Sequence, residues 1–218
     1  MTFMLFNRLF ILALRVAIVI AVAGSSEPAL AAEAATQEQN LAMLKEIEAD
    51  LAKKPNDVPL LLQHAATMGR LMRAEEEVAE ANKLLKNNPK LRDAYLIRSD
   101  GEAKLKRYGD AIASLDIAFK LGAPTPKLLL AKANFLTNEK RYGEAIETVN
   151  RVIEAEPSNI RAYDCRAYCY RFLYGSCDQV LKDMEKIVLL DPSDEKAKAL
   201  VADLKKELLL KNSSSARP

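Results

Sequence analysis

KRYGDAIASLDIAF, residues 106–119, and KRYGEAIETVNRVI, residues 140–153, are two copies of one phrase set 34 residues apart. Tyr108 matches Tyr142, Gly109 matches Gly143, Ala111 matches Ala145 and Ile112 matches Ile146. Prolines carry the interval outward. Pro55, Pro89, Pro157 and Pro192 are separated by 34, 68 and 35 residues, and the missing member falls at Ala123, beside Pro124. A fixed interval of this length marks a chain built from one supersecondary unit, repeated because no single copy can bury its own apolar face.

Composition decides what the unit is made of. Half of the 218 residues are apolar, Gly numbers seven and Trp is absent, while Ala, Leu, Lys and Glu are plentiful. Those are helix formers, so stacked helices are expected rather than short strands and turns. The formal charge is only +2 with the signs interleaved, too weak a field to point to nucleic acid or to an anionic membrane.

When the prolines take the thirty-second place, the units are 58–91, 92–125, 126–159 and 160–194, the last with one extra residue. In the second unit Tyr95, Ser99 and Ala111 fill an aromatic, a small and a second small place. Leu129, Ala133 and Ala145 fill the same places in the third. In the fourth, Tyr163, Ala167, Tyr170, Val180 and Met184 follow the plan if the extra residue lies in the turn around Leu173 to Ser176. The first keeps Leu61, Ala65 and Leu84 but has Glu77 where a small residue is expected, so its helix pair is expected to be distorted or edge-like. Small side chains at a helix crossing allow close approach, which is the physical use of this pattern.

The pattern resembles that of the tetratricopeptide repeat family. The resemblance covers residues 35 to 210 or so and implies an all-α, right-handed superhelical solenoid of antiparallel helix pairs with N- and C-terminal capping helices. Residues 32–57 form the first cap, with Leu41, Leu44, Ile47 and Leu51 on one face. Residues 195–211 form the second, with Ser193 as N-cap and Ala197, Leu200, Val201, Leu204 and Leu208 as its stripe. Residues 212–218 are small and polar and are expected to be a disordered tail. About ten helices are expected in all.

The first 31 residues are of another kind. Arg8 and Arg15 precede an apolar run from Val16 to Ala23, and Ala29-Leu30-Ala31 supplies small residues before a cut after Ala31, with Ala21-Val22-Ala23 as the alternative. Residues 1–31 read as a secretory signal peptide, and an uncleaved anchor is the competing reading. The mature protein is then expected across the inner membrane, in the periplasm, without stable membrane insertion.

The resemblance also implies where a partner would lie. First helices of successive repeats line a concave groove, and transferring the family's inward places gives Leu62 and Arg70; Leu96, Asp100 and Lys104; Lys127, Leu130, Asn134 and Asn138; and Arg161, Asp164, Tyr168, Arg171 and Phe172. Such a surface suits a protein or peptide partner, with Tyr168 and Phe172 as aromatic anchors. Asn134, Lys127 and Arg161 resemble part of the set with which some members grip a C-terminal carboxylate, while Leu62 stands at the place of that set's first Lys. Arg98, Lys132 and Arg166 repeat at the 34-residue interval, and their stems are expected to pack at the helix pairs with heads on acidic neighbours.

Signs of catalysis are sparse. Cys165, Cys169 and Cys177 crowd the fourth unit; a Cys169–Cys177 disulfide would tie its two helices together after export, and three buried thiols are the alternative. With His64 as the sole histidine, no metal site or cofactor is expected. Gly-rich phosphate loops and nucleophile motifs are lacking, so no catalytic residue is assigned and the chain reads as an exported scaffold for an envelope complex rather than an enzyme. An enzyme subunit using the groove, or a self-associating structural protein, are the other readings.

Overall fold

The computed structural model describes residues 27–215. Ten helices account for nearly all of them: α1 Glu27–Lys53, α2 Val58–Arg70, α3 Ala74–Asn87, α4 Arg92–Lys104, α5 Tyr108–Leu121, α6 Pro126–Asn138, α7 Tyr142–Ala155, α8 Ile160–Tyr174, α9 Asp178–Leu190 and α10 Glu195–Ser215. There is no strand among the described residues. Of the expected signal segment 1–31, residues up to Ser26 lie outside the described residues, and the backbone is helical from Glu27. No helix among the described residues is long and apolar enough to cross a membrane.

The chain divides at Pro55. The first unit contains α1, in which Leu44 and Ile47 are buried, while Leu41 is 47% exposed, so the apolar face is narrower than its spacing suggests. The second unit runs from Asn56 and contains the four helix pairs and α10.

Each pair starts and turns by recurring local chemistry. Asp57, Thr125 and Asn159 cap α2, α6 and α8, their side-chain oxygens accepting from the amides of Leu60, Leu128 and Ala162 at 3.1, 3.4 and 3.2 Å. The first helices then stop at a left-handed residue. Met72, Lys106 and Lys140 have φ of 59, 60 and 59°. Amides of the next residues, Arg73, Arg107 and Arg141, donate to Met68, Glu102 and Leu136 carbonyls at 2.9, 2.8 and 2.9 Å, which closes each turn. In the fourth pair the left-handed place moves one step, to Gly175 with φ 69°. Helix α8 runs to 15 residues, where α2, α4 and α6 have 13; one is the extra residue, and the other is offset by α9, which has 13 where α3, α5 and α7 have 14.

Packing rests on alanines. Ala65, Ala81, Ala94, Ala111, Ala133, Ala145 and Ala162 are fully buried, which is what close helix crossings require. Around them lies a core that includes Leu129, Leu136, Val149 and Val152 between α6, α7 and α8. Tyr95 and Tyr163 each donate a hydroxyl hydrogen bond to the proline carbonyl six residues back, Pro89 at 3.1 Å and Pro157 at 3.0 Å. The third unit lacks both halves of this tie. There Arg92 reaches forward to the carbonyls of Ala118 and Ala123 at 3.2 and 2.9 Å.

Three expectations are corrected. The first pair is regular despite Glu77, because the residue facing it is Gly69: a Cβ there would lie 2.3 Å from the Glu77 carboxylate. Helix α10 is capped by Asp194, whose carboxylate accepts from the Ala197 amide at 2.9 Å, while Ser193 donates its hydroxyl to Asp191 instead. Residues 212–215 continue α10 rather than forming a tail.

Replacing Ala145 by Leu puts a branched side chain into a filled crossing and is expected to cost about 2 kcal/mol, read as a fall in the urea midpoint. Gly143 is the matched control. A Cβ there meets nothing within 4 Å, so Gly143→Ala is expected to raise stability by about 0.5 kcal/mol through reduced unfolded-state freedom.

Candidate protein-binding groove

First helices also pack against one another: α2 touches α4 and α6 touches α8. No pair of second helices packs comparably among the described residues, so the first helices form the inner wall. On that wall the sequence-derived residues fall into three groups.

Asn134 and Asn138 on α6 and Arg161, Asp164, Tyr168 and Phe172 on α8 line one pocket of about 520 Å³. Tyr168 and Phe172 are 50% and 57% exposed, with ring centroids 4.7 Å apart. Tyr142, the first residue of α7, stacks on the other side of Phe172 at 5.1 Å. Burial of such a contiguous aromatic surface contributes more than isolated exposed residues do. Asn138 turns its side-chain amide back to the Asn134 backbone carbonyl at 2.8 Å.

A second group lies elsewhere on the wall. Asp100 and Lys104 form a closed cluster with Glu77: the Lys104 ammonium sits 2.6 Å from Asp100 and 2.9 Å from Glu77. Glu77 is 2% exposed. Burial pushes its carboxyl up to about 7, against the lowering effect of the Lys104 hydrogen bond. Lys104 loses some charge preference to burial, yet its two carboxylate partners raise it above the ordinary lysine value. This end of the wall offers a partner no unneutralised lysine. Arg70, Lys127 and Arg171 are exposed and Leu96 is half-buried, all outside the pocket lining.

Leu62 and Leu130 are corrections. Leu130 is buried in the α6–α8 core, and Leu62 packs against Leu84, Leu85 and Ala94. Both are taken up by helix packing because neighbouring first helices approach closely. The pocket in turn gains Thr137, Lys140, Tyr142 and Cys165. Tyr142 and Lys140 belong to the repeated KRYG phrase, which signalled a turn and gave no hint of a role at the pocket.

The Cys169–Cys177 disulfide does not form; all three cysteines are free thiols. Cys169 points into the core, with its sulfur 3.3 Å from Thr137 Oγ1, whose own proton goes to the Ala133 carbonyl at 2.9 Å. Cys177 lies at the start of α9, beyond the turn. The neighbouring Cys169 thiol and burial push Cys165 well above the usual thiol range, while Cys165 in turn draws Cys169 down.

The 34-residue cation ladder is structural. Arg98 donates to Ser114 at 2.9 Å and lies 3.4 Å from Glu102; Lys132 pairs with Asp116; Arg166 grips Asp183 at 2.6 and 2.9 Å. Each also lies near an aromatic ring, that of Tyr95, Phe119 or Tyr163. Among the described residues no group of three or more His, Cys, Asp or Glu could hold a metal ion.

This geometry defines a class, the tetratricopeptide-type helical solenoid with a pocketed inner wall, and the comparisons with known proteins give that fold independently. No protein-family model matches the chain. Among solved structures, MamA superposes with a TM-score of 0.66 at 19% identity, over 74% of this chain and 94% of that one. YrrB, described as a TPR protein with an unusual peptide-binding site, superposes with a TM-score of 0.64 at 15% identity, over 74% and 82%. In sequence the chain is similar to Hsp70-Hsp90 organizing protein 3 of Arabidopsis thaliana, 42% identical over 62 residues, and to the Hsp70-Hsp90 organizing protein of Triticum aestivum, 40% over 62 residues. Those matches take in 28% of this chain, which spans about a tenth of the length of these relatives, 11% and 10%.

Glu77 sets a pH dependence. Its carboxyl titrates near 7 in the folded chain against 4.5 as a free side chain, so between those values the folded state keeps a proton that the unfolded state has lost. Its contribution is therefore fully present below about 4.5 and is lost as pH rises through 7. Glu77→Gln is expected to gain stability over the parent across this window and to hold a constant advantage above it, as measured by urea unfolding from pH 4.5 to 8.

Proposed function

We propose that this chain is a non-catalytic scaffold that holds a protein or peptide partner on its inner wall, and that it does so after export, in the assembly or regulation of an envelope complex. The observation that carries the reading is the aromatic triplet of half-buried Tyr142 with exposed Phe172 and Tyr168, in a pocket whose remaining lining includes two amides, two cations and Asp164. Aromatic rings supply large, low-entropy contact area, and Asn and Arg side chains can satisfy main-chain and carboxylate groups of an extended segment. The peptide-binding site in the description of YrrB and the chaperone-organizing role in the names of the sequence relatives support the same use of the wall. Export rests on the signal-like residues 1–31.

A Tyr168→Ala, Phe172→Ala double variant tests this. Both residues are exposed, so the fold is expected to persist, checked by circular dichroism. In a pull-down from envelope extract, partners held by the parent are expected to fall at least tenfold, about 1.4 kcal/mol of binding. Equal recovery of the same proteins by both forms removes the groove from the account.

A further inference from the structure

Beyond the aromatic pocket, the wall continues onto the last helix. A second depression of about 380 Å³ lies between α8, α9 and α10, floored by Ile160, Met184, Ile187, Ala197 and Leu200. Arg161 and Asp164 line both depressions, so the two are one groove pinched at this pair. The terminal helix thus does more than solvate the end of the stack: its inward face supplies half of an apolar subsite. The two subsites flank α8, and neighbouring packed helices stand roughly 8–10 Å apart. An extended chain covers that distance in about three residues.

Charge selects what could lie there. Lys140 and Arg161 in the first depression, Lys196 at the rim of the second and Arg171 beside them form no ion pair among the described residues. Two acids, Asp164 and Asp194, line the depressions as well, and Asp194 also caps α10, so the cations of the groove outnumber its acids. The opposite end of the wall is closed by the Glu77–Lys104–Asp100 cluster, so an anionic ligand has reason to choose the α6–α8–α10 half.

Resting on the proposed scaffold reading, we infer that the partner presents an extended acidic segment bearing two large apolar side chains three or four residues apart. One anchor packs on Phe172 and Tyr168, the other lies over Leu200 and Met184, and an Asp or Glu between them meets Arg161.

The test is panning of a displayed library of random decapeptides on the full chain, followed by fluorescence anisotropy with the best enriched peptide made synthetically. The expected consensus is two apolar positions three or four apart enclosing an acid, with affinity falling as salt is raised. Leu200→Asp is expected to erase the preference at one apolar position and weaken the peptide about tenfold, while the other position is kept. Lys196→Glu, an exposed change that leaves the core alone, is expected to weaken the same peptide severalfold. Enrichment of basic peptides, or of peptides dependent on Phe172 yet indifferent to both Leu200→Asp and Lys196→Glu, overturns the two-subsite groove and leaves the scaffold reading standing. If no peptide is enriched on the parent chain, both fail together.

Discussion

Close approach at the alanine crossings is the constraint from which the rest of the second unit follows. A helix pair joined by a three-residue turn can bury a continuous apolar seam only if nothing large stands where the axes are nearest. Ala111 against Ser99 and Ala145 against Ala133 meet that condition, and the Ser99 hydroxyl donates to the Ala111 carbonyl at 2.9 Å, so even the polar member is satisfied. The first pair meets it by removing bulk on the other side. Gly69 and Gly101 leave room for the Glu77 side chain, and a Cβ at Gly101 would lie 2.7 Å from Val78. A carboxylate thereby occupies a place that an alanine holds in the next two pairs, and Lys104 comes in to neutralise it.

The cations of this chain consequently do two different jobs. Arg98, Lys132 and Arg166 recur at the repeat interval because each ties its first helix to an adjacent second helix, that of its own unit for Arg98 and Arg166 and that of the preceding unit for Lys132. Burial pushes the Glu102 carboxyl up even with Ser114 donating to it and Arg98 beside it, a sign of how little water reaches this layer. Charges in the ladder are spent on folding. Lys140, Arg161 and Lys196 lie instead on the inner wall without such partners, and the surface potential of the groove is theirs to set.

The fold was legible because spacing records packing. Prolines, small residues and the KRYG phrase report turn and crossing geometry, and these are local or nearest-neighbour constraints that one unit's sequence contains. The groove was legible only in part. Place-by-place transfer found Asn134, Asn138, Arg161, Asp164, Tyr168 and Phe172, since a helical face follows from spacing alone. It misassigned Leu62 and Leu130, because whether an inward leucine faces solvent or the neighbouring first helix depends on how closely the units stack. It missed Tyr142, Lys140 and the α10 contribution for a related reason: these come from a turn and a terminal helix, and their meeting with α8 is a property of the stack. The cysteines went astray on direction. Spacing placed Cys169 and Cys177 on adjoining helices but could not tell that Cys169 faces Thr137 and the core.

One inserted residue explains why the pocket belongs to the fourth unit. In the first three pairs the first helix ends with Arg70, Lys104 or Asn138, polar residues at the thirteenth place, followed shortly by the left-handed turn. In α8 that place is Phe172, and the helix runs on to Tyr174 before Gly175 takes the left-handed conformation. Glycine can adopt this backbone without the penalty that Met72, Lys106 and Lys140 bear. The longer helix keeps Phe172 within regular structure, where its ring can sit between Tyr142 and Tyr168 instead of at a fraying end. Behind the turn, the Ser176 hydroxyl donates to Glu207 at 2.6 Å and Lys211 donates to the Ser176 carbonyl at 3.0 Å, binding the lengthened loop to α10. The same insertion therefore departs from the repeat, exposes an aromatic surface and fixes the terminal helix beside it, which is how a uniform stack of helices acquires one place unlike the others.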